Sequence, residues 1–511
     1  MANDDELRDL LSSASLVFVG GLLAAVSTLV EQIVIARVLT PDAYGEVSIS
    51  IAVMTLGITM ALVGFNQGIP RFISRFESPV DRRGAWATGL LIPGSLSLVL
   101  AVVLVLTIES VTGLLFERFN SELLLLLFVL SIPFEVGQRV GVGAIRGHEN
   151  TIYKTYTADL LYPGLRIGLL AVLLAAGYGV VAAGIAYLGA SIVTFVAAHV
   201  LLNRLLPLVG QVELHAREMV VFSAPLVIST VLGLLLTKTD TLMLGYFRPS
   251  AEVGIYTAAY TVANGMNFVL IAFGFLYLPI VSRLDAGDRR DEVDEIYTTL
   301  TKWVFIVTFP AFLVFAFFPE DVLSLFFGQG YAAGGLALTI LAFGFLTNSL
   351  AGRNKETLSA FGSTKSVLAG NAVAFGLNIV LNLALIPTYG QLGAAVASAA
   401  SIIALNATVL VILHVGFGIS PFSASVVRTC VVLPVTLVPV MVAATGWFSL
   451  GLVTFPLLLV VLGVLVVAIS GVAGGFQPED EVLIEFVEER FGITVPFVRR
   501  FIPPEGSQSA G

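Results

Sequence analysis

The chain has 511 residues, of which 57% are hydrophobic and only 12% charged, with 26 Lys and Arg against 35 Asp and Glu for a formal net charge of −9. A soluble protein needs about 25% charged residues to cover its surface, so a water-soluble fold is excluded, as is an extended nucleic-acid-binding face, which needs basic blocks. The single cysteine, Cys430, excludes a disulfide framework.

The N-terminal MANDDELRDLL is acidic where a secretory leader is basic, and the apolar run behind it is too long for a leader core, so a retained first span is expected. A helix needs about 20 mainly apolar residues to cross a bilayer. About fourteen such windows follow one another, at 13–39, 45–69, 84–107, 121–144, 155–177, 179–203, 218–246, 252–281, 302–319, 333–352, 365–387, 390–415, 423–445 and 449–473. Barrel strands would give alternating segments of about ten residues. These runs are long and continuous, so the expected fold class is an all-α integral membrane protein.

Cytoplasmic loops are enriched in Lys and Arg. Nineteen of the 26 cations fall in the even-numbered loops and the two tails, while only Arg118 and Arg248 fall in odd-numbered loops. Both termini are therefore expected in the cytoplasm, with the cell membrane as location. The excess of Arg over Lys and the acidic tails (NDDE, PEDE, EFVEER) point to a salt-adapted source.

Two patterns occur twice at nearly one offset, the mark of an internal repeat. LTPDAYGEVSISIAV from Leu39 pairs with FRPSAEVGIYTAAYTV from Phe247, matching Pro41 to Pro249, Ala43 to Ala251 and, with one insertion, Gly45 to Gly254. YGVVAAGIA from Tyr178 pairs with YGQLGAAVA from Tyr389. The expected organisation is an N-tail (1–12), a six-helix N-lobe (13–203), a linker (204–217), a six-helix C-lobe (218–415), two appended helices (423–473) and an acidic tail (474–511). Six helices return the chain to its starting side, so the repeat is parallel and suits alternating access of two lobes.

These motifs carry a resemblance. VIARVLTPDAYGEVSI, SAPLVISTVLGLLLTKTDTLMLGYFRPSAEVGIYTAAYTVA, FLYLPIVSRL, LSLFFGQGY and NIVLNLALIPTYGQLGAAVAS occur in order between about residues 10 and 415. They resemble the lipid-linked oligosaccharide and polysaccharide flippases of the multidrug/oligosaccharidyl-lipid/polysaccharide exporter superfamily. That resemblance implies two bundles around a central cavity and, as cargo, a glycan on a polyprenyl or dolichyl phosphate.

Five cations lie inside spans: Arg37, Arg139, Arg166, Lys238 and Arg428. Ionisable groups at membrane depth are costly and usually face protein or water. Arg428 is near enough to its span end to snorkel, and Arg37, near the outer end of span one, suits anchoring or substrate contact. Glu135 and Arg139 are four apart, on one helix face, and read as an ion pair. With Glu31, Asp159 and Arg166 they either lock the lobe together or line its cavity. Lys238 and Asp240, two apart, point to different faces, and Asp240 matches an aspartate characteristic of the resembled family. Asn378 and Asn382 share a face with Asn371 nearby, suited to interhelical hydrogen bonds or to a polar wall for sugar hydroxyls. Arg139, Arg166 and Lys238 are the candidates to meet the phosphate, and Glu31, Glu135, Asp159 and Asp240 the candidates for coupling to H+ or Na+.

No phosphate-binding glycine loop occurs and no cytoplasmic segment is long enough for a nucleotide-hydrolysing domain, so transport is expected without ATP or any cofactor. The histidines (148, 199, 215, 414) form no ligand cluster. An enzyme is not expected, because a membrane glycosyltransferase or polymerase would carry its acid/base or metal constellation on a substantial outer loop. Partners are the lipid-linked glycan and membrane lipids, and the chain is expected to act as a monomer. Cation-coupled multidrug efflux on the same fold is the alternative.

Overall fold

The computed structural model describes residues 2–116, 121–274, 277–478, 480, 481 and 499, with side chains for all of these except 2–19, 225–229, 272–274 and 279. Arg118, Arg490 and Arg500 of the cation count, and most of the acidic tail, lie outside the described residues. The described backbone is helical, and twelve stretches of it are long and apolar enough to cross a bilayer. The other two windows, 218–246 and 252–281, fall on helices that contain residues with undescribed side chains. The chain divides into two compact units, residues 1–258 with 382–394 and residues 259–381 with 395–511.

Unit 1 holds α1 (Ala2–Val38), α2 (Pro41–Leu62), α3 (Phe65–Arg75), α4 (Pro79–Leu106), α5 (Ile108–Leu115), α6 (Glu122–Gly147), α7 (Thr151–Lys154), α8 (Tyr162–Ala175), α9 (Val181–Leu205), α10 (Ala216–Phe247) and most of α11 (Ser250–Asn264). Thr40-Pro41 and Ser78-Pro79 start α2 and α4 alike: the hydroxyl accepts a first-turn amide, from Ala43 at 3.4 Å or Val80 at 3.2 Å, and Pro fills the first helical position. At the centre, α6 presents glycines to two neighbours. A Cβ at Gly137 would come within 2.5 Å of the Phe195 ring and one at Gly141 within 3.0 Å of Ala198, both on α9, while one at Gly147 would lie 2.7 Å from Ile73 on α3. Small residues four apart let backbones approach where lipid supplies no hydrophobic drive. The 204–217 linker is pinned to α4 within unit 1, by Arg83 Nε on Gln211 O at 2.9 Å and His215 N on Thr88 Oγ1 at 3.2 Å.

Between α7 and α8 the chain widens into a π-helical turn, Thr155–Leu161. The cause is Pro163, which has no N–H for Asp159 O and crowds that carbonyl with its ring. Tyr162 N–H bonds Thr157 O instead, one residue farther back than an α-helix requires.

Unit 2 holds the end of α11, α12 (Asn267–Gly274), α13 (Tyr277–Ala286), α14 (Arg290–Phe317), α15 (Pro319–Phe327), α16 (Gly335–Ala351), α17 (Asn354–Ala360), the larger parts of α18 (Thr364–Tyr389) and α19 (Gln391–Phe417), α20 (Ala424–Ala444) and α21 (Thr454–Val472). The window at 302–319 is corrected here: its helix begins at Arg290, with Asp291 and Glu292 in the first turn. Acids favour a helix N-terminus but lower hydropathy, so apolarity alone starts this helix too late. Lys302, expected in a loop, lies within α14 and is 1% exposed. Its Nζ donates to Asp480 Oδ2 at 2.6 Å, Trp303 Nε1 donates to Asp480 Oδ1 at 2.7 Å, and Phe476 stacks on Trp303 at 5.3 Å.

Val99, Val102 and Leu106 on α4, and Val435, Val460 and Val464 on α20 and α21, are more than half exposed. Such apolar surface is stable against lipid tails and costly against water.

Candidate functional site

In unit 1 the ionisable groups of α1, α6, the π-helical turn and α8 come together. Arg166 of α8 donates through Nη2 to Glu31 Oε2 of α1, and both residues are buried in side chain, at 11% and 1% exposure. The guanidinium carbon sits 4.8 Å from the Tyr162 ring centre and 4.5 Å from that of Tyr187. Buried cations beside aromatic faces gain from the ring quadrupole. Two atoms of the pair, Glu31 Oε1 and Arg166 Nε, are buried with no hydrogen bond of ordinary geometry inside the protein. Atoms in that state call for water or a polar ligand.

Arg139 Nη2 meets Glu135 Oε1 at 3.1 Å, the ion pair expected from their spacing, and Ser191 Oγ lies 3.4 Å from Glu135 Oε2. Arg139 remains 41% exposed in side chain. Asp159 accepts from Lys154 Nζ at 2.5 Å. Gly20 on α1 makes room for it, since a Cβ there would come within 2.9 Å of Asp159 Oδ2. Each of these three carboxylates thus has a cation. Lys238, in the last third of α10, has no ion-pair partner among the described residues. Arg37 is exposed at the end of α1.

Asp240 turns away from Lys238, as their spacing requires. It is 1% exposed and accepts from Asn382 Nδ2 at 2.6 Å and from the Tyr256 hydroxyl at 2.7 Å. Asn378 and Asn382 are fully buried, and Asn382 ties α18 to α10. The copied motifs also meet. Arg248 bonds Glu252 Oε1 at 2.9 Å, which raises the guanidinium pKa further, and Glu252 Oε2 accepts from Gln391 N at 3.1 Å. Gly390 turns this corner with φ +54°, in the left-handed region, and a Cβ there would overlap the Glu252 carboxylate.

Unit 2 contains a polar constellation that sequence reasoning missed. Asn354 Nδ2 donates to Asn406 Oδ1 at 3.3 Å, Asn406 to Asn348 at 2.7 Å, Asn348 to Asn267 at 3.1 Å and Asn267 to Asn264 at 2.9 Å. Five amides from α11, α12, α16, α17 and α19 form one chain, running from buried Asn354 and Asn406 to half-buried Asn267 and Asn264. The available signal was an isolated Asn inside each of two apolar windows, at 348 and 406.

A family model described as polysaccharide biosynthesis protein matches residues 34–333. "Probable low-salt glycan biosynthesis flippase Agl15" of Haloferax volcanii is 24% identical over 187 residues, which is 37% of this chain and 40% of that protein. The matched region therefore spans about two fifths of that relative. The solved structure of the lipid II flippase MurJ, in an inward closed conformation, matches with a TM-score of 0.72 at 13% identity, over 89% of this chain and 98% of that one. An inward-facing multidrug resistance MATE family transporter of the MOP superfamily matches with a TM-score of 0.62 at 15% identity, over 76% and 92%. At these identities the structures establish the fold.

Proposed function

The chain belongs to the polysaccharide biosynthesis protein family, and from that premise we propose that it carries a lipid-linked oligosaccharide, on a polyprenyl or dolichyl phosphate, from the cytoplasmic to the outer leaflet by alternating access of its two repeated halves. The observation that carries the reading is Lys238 in unit 1, an ammonium with no ion-pair partner among the described residues. Glu31, Glu135 and Asp159 are neutralised by Arg166, Arg139 and Lys154, and Lys238 stands without an acid. Unit 1 also buries Asp240 and Glu46, so the reading rests on this one ammonium group, to which a phosphate would give a counter-charge. The same ammonium weighs against multidrug efflux, the reading that the MATE-like fold favours, because it repels an organic cation.

In this reading the protein acts as a monomer without cofactor, both termini lie in the cytoplasm, and Asp240 is the carboxylate that couples transport to H+ or Na+. The test is reconstitution in vesicles with a fluorescent polyprenyl-phosphate oligosaccharide and a membrane-impermeant reductant. Protein-dependent loss of protection on one leaflet, altered by an imposed Na+ or pH gradient, is the expected result. Extrusion of organic cations with unchanged glycolipid distribution would overturn the proposal.

A further inference from the structure

The appended helices α20 and α21 take no part in the constellations above, yet the hairpin joining them and the α14–α15 corner form an open groove of about 520 Å³ in unit 2, within the usual size range of small-molecule sites. Phe318, Glu320, Asp321, Thr445, Trp447 and Phe448 are among its lining residues. Phe318 and Phe448 stack at 5.2 Å with 26° between their planes, giving the groove an aromatic wall. The hairpin joining α20 to α21 is held in place, because Leu450 N donates to Asp321 Oδ2 at 2.7 Å and Gly451 N to Thr454 Oγ1 at 2.6 Å. Trp447 is 87% exposed, whereas Trp303 is 9% exposed and Trp86 half-buried. A large aromatic surface is thus left uncovered beside two carboxylates, a threonine and a serine, Ser449.

The chemistry of the lining selects a ligand class. It contains no Lys, Arg or His, so a phosphate or an acidic sugar finds no counter-charge. Carboxylates accept hydrogen bonds and donate none when ionised, which suits a ligand rich in hydroxyl donors. An uncovered indole offers its face to the apolar C–H side of a pyranose ring.

We propose that this pocket is a saccharide subsite, taking a neutral sugar unit of the glycan headgroup. The proposal rests on the flippase reading for the origin of that sugar. The pocket lies at the end of α14 remote from the contact between Asp294 and Ser420, the end that the cation distribution assigns to the outside, where a headgroup would emerge.

The test uses the purified full-length chain in detergent, titrated with maltotriose and with N,N′-diacetylchitobiose while tryptophan emission is followed. Trp447 is the most exposed of three tryptophans, so its signal is separable by a Trp447→Phe control. Sugar is expected to shift the emission and to protect it from acrylamide; Trp447→Phe should remove the response, and Glu320→Gln should weaken apparent affinity at least threefold. Tetramethylammonium producing the shift in place of sugar would overturn the proposal in favour of a cation pocket. Quenching by brominated lipid with no sugar response would overturn it in favour of a membrane-interface anchor. Binding and flipping are measured separately: sugar binding without vesicle flipping defeats the flippase reading alone, and flipping without sugar binding defeats the pocket alone.

Discussion

Gly45 and Gly254, the glycines that the internal repeat aligns, stand face to face: a Cβ on either would lie 3.0 Å from the other's backbone nitrogen and would overlap a carbonyl oxygen, of Ser250 or of Pro41. The obstructing atoms are backbone, so no side-chain rotation relieves them. Gly45→Leu and Gly254→Leu are each expected to destabilise by more than the ~1–3 kcal/mol typical of overpacking, read as a lower melting temperature and lower abundance in detergent. Gly94→Ala, in open space on α4, is the control and should leave melting unchanged or raise it.

Removing one member of a buried ion pair strands the other and costs about 3–5 kcal/mol. Arg166→Ala and Glu31→Gln should therefore both reduce folded protein, whereas Glu31→Gln combined with Arg166→Met should recover abundance without recovering transport. Size-exclusion profiles of the tagged protein, run beside the vesicle assay, separate the two effects. Arg139→Ala, at a more exposed cation but with Glu135 buried, should reduce the folded peak less than Arg166→Ala does.

Lys238→Met should behave in the opposite way. It removes a cation with no acid beside it, so the folded protein should be as abundant as the parent or more so, while glycolipid flipping falls at least tenfold. Lys238→Arg, which keeps the charge, should retain a measurable rate. Loss of abundance with flipping per molecule unchanged would remove Lys238 from the site.

Asn406→Leu cuts the amide chain next to its buried end, leaving Asn354 Nδ2 without its acceptor and Asn348 Oδ1 without its donor. Each orphaned group costs about 1–3 kcal/mol, so a clear drop in melting temperature is expected. Asn264→Ala, at the half-buried end of the chain, should cost less than half as much in the same measurement.

What could be read in the sequence was what is local or periodic. The spans show in hydropathy, the Glu135–Arg139 pair in a spacing of four, and the separation of Lys238 from Asp240 in a spacing of two. Glu31 and Arg166 are 135 positions apart, and nothing in either neighbourhood announces the other. In a helix that is apolar all round, the position of one polar residue does not say which neighbour it faces. The five asparagines escaped notice for that reason. Asp240 illustrates both limits, because its burial was expected and its partners Tyr256 and Asn382 were not.

The contact between Lys302 and Asp480 has a practical consequence for anyone attaching a reporter to this protein. A fluorescent fusion joined after Glu481 keeps Phe476, Gln477 and Asp480 in place. One joined at Gly474 deletes all three and leaves an ammonium group, 1% exposed, with its recorded acid gone. The shorter fusion should mature poorly and be cleared from the membrane, so low fluorescence from it would report a damaged anchor and say nothing about how well the natural chain is made.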